Sequence, residues 1–213
     1  MNREEQRFEN LKETSRIEAF SDGVFAIAIT LLILDIHVPE FRENERLMNV
    51  LAHEWPAILA LLIGFFTILI CWINHHTAFE YIRRVDTNLM WINGMLLFVV
   101  TLTPFPTAIL AEYLQSEGGT AVAFFGFNYV LIGIAAYSIC IYSYRHHLID
   151  EADRPFFAVY QRLYLYSIFY TIIAFLLCFV SIVVPIIMYA ILFTFFAAPK
   201  VCARKLYNKR LRS

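Results

Sequence analysis

Charge is scarce in this sequence: 16% of its 213 residues are Asp, Glu, Lys or Arg, whereas 60% are apolar. A chain so poor in charge cannot clothe one soluble domain, and it reads as an integral membrane protein. Glycine is thin as well, with seven residues, and neither a Walker loop nor a dinucleotide fingerprint is present. The four cysteines, Cys71, Cys140, Cys178 and Cys202, lie far apart with no C-x-x-C pair. That spacing excludes a disulfide frame or a cysteine metal site and leaves packing as their role. Also missing are G-x-S-x-G and H-E-x-x-H, so no enzyme is indicated. The T-V-G-Y-G carbonyl filter of potassium channels is absent too, so any ion path must select by another device. The net charge of −1 conceals a strong asymmetry along the chain, in which position matters more than the total, and no nucleic-acid role follows from it.

What is abundant is long apolar sequence. A helix needs roughly 20 apolar residues to cross the hydrocarbon, and six segments qualify, at about 17–37, 52–72, 89–111, 121–144, 163–182 and 184–203. The expected fold class is therefore an all-α integral membrane protein, one six-helix domain over residues 1–213. Breaker chemistry falls between the segments, at Pro39, Glu117–Gly119, Asp153–Pro155 and Pro185, and no linker or internal repeat divides the chain. The apolar run Gly23–Leu34 is as short as the core of a signal peptide, but "HVPE" after it offers no small-residue cleavage site. Residue 1 onward is expected in the mature chain.

Orientation follows from the basic residues, which accumulate on cytoplasmic connections. The two ends of the chain and the second and fourth connections hold 15 of the 17 Lys and Arg. Both termini are thus expected in the cytoplasm, with Arg16 at the inner face.

The first segment is the least lipid-like. At about 100° per residue, Phe20, Gly23, Ile27, Thr30, Leu31 and Leu34 share one stripe. Glu18, Asp22, Phe25, Ile29 and Ile36 fall on the other side, with Asp22 roughly 140° from Ile27. A helix with carboxylates on one face and Thr30 on the other should be surrounded by protein or by a water-filled path. A second polar group closes the second segment, where "CWINHHTAF" places Trp72, Asn74, His75 and His76 at the depth of Arg16, Ser21 and Asp22. A carboxylate there needs a partner. The expectation is a contact of Asp22 with His75 or His76, with Arg16 nearby, acting either as an assembly lock or in proton transfer. A Ser21–Asp22–His hydrolase triad is rejected for want of an oxyanion loop. The pair His146 and His147 is read as a solvated loop, because adjacent histidines diverge by about 100° on a helix and rarely share a metal. Pro104 and Pro106 in "TLTPFPTAIL" should kink the third segment, with Thr101 or Thr103 satisfying freed carbonyls.

The sequence "RIEAFSD", residues 16–22, resembles the R-x-x-x-F-S-D marker of the transmembrane protein 175 family of potassium channels. The likeness extends over "FAIAITLLIL", "WINHHTAF" and "WINGMLLFVVTLTPFPT". It implies a single-repeat prokaryotic member forming a homotetramer whose first helices line a central pore. It further implies a constriction at Ile27, potassium selection at Thr30, additional pore-facing positions at Leu31 and Leu34, and a supporting network of Arg16, Phe20, Ser21, Asp22, Trp72, His75 and His76. One helix cannot enclose a pore, so such a subunit has to assemble around an axis. The functional expectation is a passive potassium channel of the inner membrane, with hydrophobic gating at the constriction. Potassium ions, the lipid bilayer and further copies of the chain are its expected partners, with no cofactor. The alternatives are a proton-coupled transporter using Asp22 with His75 or His76, against which stands the absence of inverted repeats, and a membrane scaffold without transport.

Overall fold

The structure, a computed structural model, describes residues 3–35 and 46–211. They form nine α-helices: α1 (Arg3–Leu31), α2 (Leu47–His53), α3 (Trp55–Phe79), α4 (Thr87–Leu102), α5 (Pro104–Tyr113), α6 (Gly118–Arg145), α7 (Arg154–Leu177), α8 (Val183–Phe196) and α9 (Pro199–Leu211). A 3₁₀ turn, Leu32–Asp35, ends the first helix, and an antiparallel bridge, Ile82–Ile149, ties two connections together. Residues 36 and 37, the expected end of the first span, and the Pro39 breaker lie outside the described residues.

Among the described residues, five segments are long and apolar enough to cross a membrane: Thr14–Leu34, Trp55–Phe79, Thr87–Tyr113, Gly118–Arg145 and Arg154–Leu177. Several ends differ from those read off the sequence. The second span runs on past Trp72 to Phe79, because His75 is tolerated inside the helix once it is hydrogen-bonded. The fifth begins at Arg154 rather than at 163 and stops at Leu177; Pro155 at its first turn opens the helix instead of breaking it, since that N–H needs no partner.

The third span, Thr87–Tyr113, is interrupted at Thr103, where α4 ends and α5 begins at Pro104. Pro104 cannot donate to the Val100 carbonyl, and the Thr103 N–H takes that acceptor at 3.0 Å. Neither threonine side chain caps a carbonyl that Pro104 or Pro106 frees: Thr101 Oγ1 donates to the Leu97 carbonyl (2.8 Å), and Thr103 Oγ1 accepts from Asn128 Nδ2 (3.0 Å), tying the break to α6.

The sixth expected span, 184–203, is not one straight helix. α8 stops after 14 residues, and α9 departs from it at 74°. Pro199 lacks the N–H that would reach the Phe195 carbonyl, and the basic sequence beyond it resists burial in hydrocarbon. The carbonyls freed by the bend find other donors. Cys202 Sγ donates to that of Phe195 (3.7 Å) and Asn74 Nδ2 to that of Phe196 (3.0 Å).

The core runs between α3, α4, α6 and α7, and includes Ile68, Leu96, Val100, Phe157 and Tyr160. Close helix approach depends on Gly64, where a methyl group would sit 2.8 Å from Thr107 Oγ1 on α5. At α4 the N-cap is Asp86, whose side chain accepts from the Leu89 N–H and from the Tyr142 hydroxyl, each at 2.8 Å. α1 stands at the edge of this bundle, packed on α3 and α4 through Phe25, Ala28 and Leu32. Of the five spans it is the least covered by its own chain, with 22% of its apolar window buried against 39–50% for the others.

Candidate functional site

Ser21 and Asp22 are consecutive on α1, so their side chains diverge by about 100°. Ser21 turns inward and is fully buried, whereas Asp22 lies on the flank of the helix. Inside, Asn93 on α4 (3% exposed) donates through Nδ2 to Ser21 Oγ at 3.0 Å, and its Oδ1 accepts from His75 Nε2 on α3 at 2.8 Å. The His75 ring is held between aromatic faces, stacked on Phe79 with centroids 4.4 Å apart and tilted against Phe25 at 5.4 Å. Three helices are thereby fixed by one amide whose donor and acceptor ends are both used.

The expected contact of Asp22 with a histidine does not form. Asp22 Oδ1 instead accepts from Trp72 Nε1 at 2.8 Å. The reason is helical phase: Trp72 and His76, one turn apart on α3, share the flank that faces Asp22 and Glu18, whereas His75 is rotated about 100° into the core. His76 stacks on Trp72 and stands 3.8 Å from both Glu18 and Glu80. Glu80 in turn pairs with Lys200 on α9. Proton exchange between Asp22 and His75 or His76 therefore lacks the direct contact it was expected to use.

Arg16 and Phe20 belong to the same marker and border the network without a hydrogen bond to it. Phe20 is 66% exposed, and both line an open recess with Met90, Gly94 and the network residue Asn93. Among the described residues Arg16 makes no ion pair.

The opposite face of α1 is bare. Ile27 is 60% exposed, Leu31 37% and Leu34 72%, while Ile29 on the far side is half-buried against the core. Thr30 lies in this open stripe and donates its hydroxyl to the Ile27 carbonyl at 2.9 Å. With the hydroxyl proton committed to the backbone, the oxygen presents its lone pairs outward, as an acceptor suited to a cation.

Two functional-looking groups went unread in the sequence. Asn93 is the bridge of the whole network, and its signal was an isolated amide within the apolar run Leu89–Val100, where an unpartnered polar group is costly. The second is the pair of tyrosines that bury Asn74, a residue already placed in the closing polar group: its Oδ1 accepts from Tyr164 and its carbonyl accepts from Tyr160. His146 and His147 are exposed in the turn after α6, one stacked on Tyr142 and the other beside Glu151 and Arg154. Among the described residues, no three His, Cys, Asp or Glu side chains are grouped so as to hold a metal ion.

Residues 16–104 match the family described as "Endosomal/lysosomal potassium channel TMEM175". A potassium channel of Streptomyces collinus is 47% identical over 125 residues, 59% of this chain and 61% of the relative. One from Chamaesiphon minutus is 55% identical over 104 residues, 48% of this chain and 51% of the relative. The matched segments thus span between half and two thirds of these curated relatives. The crystal structure of a lysosomal potassium-selective channel TMEM175 homolog from Chamaesiphon minutus superimposes with a TM-score of 0.77 at 37% identity, covering 89% of this chain and 98% of that one.

Proposed function

We propose that this chain, which belongs to the TMEM175 family, is one subunit of a homotetrameric potassium channel in a bacterial inner membrane. The family is one of ion channels and not of enzymes. The observation that carries the reading is the division of α1 into two faces. One is locked to α3 and α4 through Ser21, Asp22, Asn93, His75 and Trp72. The other, with Ile27, Thr30, Leu31 and Leu34, is exposed among the described residues. Four copies around an axis bring these stripes together and leave the network behind them as the buttress that sets the angle of each helix.

In that arrangement Ile27 forms the constriction. A ring of isoleucine side chains offers no ligand to replace the hydration shell of a cation, so the barrier there is the cost of dehydration. Thr30, about one turn further on, offers outward-facing hydroxyl oxygens and supports preference for potassium, while Leu31 and Leu34 continue the apolar wall. The permeant ion is the only ligand required. Both termini lie in the cytoplasm, consistent with 15 of the 17 basic residues on that side.

Planar-bilayer recording with potassium and sodium on opposite sides tests this reading. Ile27→Ala and Ile27→Asn should raise potassium current, Thr30→Ala should chiefly weaken preference for potassium over sodium, and Ile29→Asn in an assembled channel should leave both unchanged. A carrier would show saturating flux that depends on a counter-substrate, and a scaffold would show none. An Ile29→Asn channel that opens while Ile27→Asn does not would overturn the face assignment.

A further inference from the structure

The 74° turn between α8 and α9 carries the chain across the end of the bundle instead of along its axis. α9 lies where α3 ends and α7 begins: Lys200 pairs with Glu80, and Tyr207 packs edge-on against Phe156 with centroids 6.0 Å apart. Ala203, on the side of α9 that faces the bundle, is fully buried. The helix is therefore fastened to the bundle along one side only.

Its other sides have a distinctive chemistry. Over Pro199–Leu211 the sequence holds Lys200, Arg204, Lys205, Lys209 and Arg210, and neither Asp nor Glu. Lys200 is engaged by Glu80. Arg204 and Lys205 are exposed, and among the described residues neither makes an ion pair. Interleaved with them, Val201 is 53% and Leu206 44% exposed. At about 100° per residue Val201 falls between Arg204 and Lys205, and Leu206 lies about 100° beyond Lys205, so exposed apolar and cationic side chains alternate around the free side of the helix. A cationic helix with exposed apolar side chains among its cations, lying crosswise at the end of a membrane-spanning bundle, is suited to rest in the headgroup layer.

We propose that α9 is an interfacial helix that binds anionic phospholipid headgroups of the cytoplasmic leaflet through Arg204 and Lys205. The Leu206 flank meets the acyl boundary, and the long basic side chains keep their charged ends among the phosphates. Two features favour a lipid over a soluble acidic partner. Exposed apolar residues sit between the cations, and α9 follows α8 after only two residues, Ala197 and Ala198, too short a link for it to leave the surface. The inference rests on the membrane-spanning fold and on no property of ion conduction, so the channel reading can fail without it.

The test uses the full chain in nanodiscs of phosphatidylcholine, titrated with phosphatidylglycerol, with retention of the anionic lipid counted by native mass spectrometry. Replacing Arg204 and Lys205 by Gln should weaken phosphatidylglycerol retention by about thirtyfold, at about fivefold per cation lost near the surface. Phosphatidylcholine retention should stay the same. The swap Arg204→Lys with Lys205→Arg should behave like the original chain, and raising the salt concentration should mimic the Gln pair, since these charges are screened within a Debye length. Unchanged retention in a Gln pair that remains monodisperse overturns the proposal. So does tight binding of a soluble polyglutamate to the chain in phosphatidylcholine discs, which would assign the cations to a soluble acidic partner.

Discussion

Asn93 is the residue whose loss should be most informative, because both ends of its amide are spent on other helices. Replacing it by Leu keeps the volume but strands His75 Nε2–H, 5% exposed among Phe25 and Phe79. The Ser21 hydroxyl loses a donor but can turn to a carbonyl of its own helix. The expected loss is about 1 kcal/mol, at the lower end of the usual range for a stranded buried group, because an unfolded membrane chain also finds partners. Ser21→Ala alone strands the Asn93 amide N–H and should cost about as much. In the Asn93→Leu background there is no amide left to strand, so Ser21→Ala should then cost nearly nothing. The coupling energy of the double-mutant cycle is therefore about 1 kcal/mol, measured by equilibrium unfolding in mixed micelles; independent sites add to within about 0.5 kcal/mol. If Ser21→Ala costs the same in both backgrounds, the hydrogen-bonded bridge is not what joins α1 to α4, and the buttress argument fails.

Three further outcomes are expected. Trp72→Phe removes the donor to Asp22 Oδ1 and should lower the tetramer fraction in size-exclusion profiles, whereas Asp22→Asn, which keeps an acceptor oxygen at that place, should be tolerated; the reverse order would exclude this bond as the lock. Gly64→Ala should destabilise by about 1–3 kcal/mol through overlap with Thr107, and Thr107→Ala in the same chain should recover most of the loss in thermal unfolding, since it removes the side-chain atoms nearest the new methyl group. A cysteine placed at Ser116, exposed in the turn between α5 and α6, should react with an impermeant thiol reagent only from outside; labelling from inside alone would invert the topology.

Much of this molecule was legible without coordinates, for reasons rooted in solvent physics. Hydrocarbon demands long apolar helices, so five spans could be located from sequence alone, and a proline in "TLTPFPT" has to free a carbonyl, so the helix of the third span had to be interrupted there. The 3.6-residue repeat was enough to separate the Ile27–Leu34 stripe from Asp22 and Ile29. Partner identity was beyond that reach. Period and depth placed Asp22 near Trp72, His75 and His76, but which of the three meets it depends on the rotation of α3 about its own axis, set by how Phe25, Phe79 and Ile68 pack. That rotation gave Asp22 to Trp72 and sent His75 to Asn93. The last span shows the same division. Its apolar composition and the Pro199 breaker were plain, yet the bend is held by Asn74, 122 residues before Phe196, and by Cys202, which supply donors to the carbonyls that the break frees. A hydrogen bond between distant segments has no local signature, so only the packed tertiary structure could decide it.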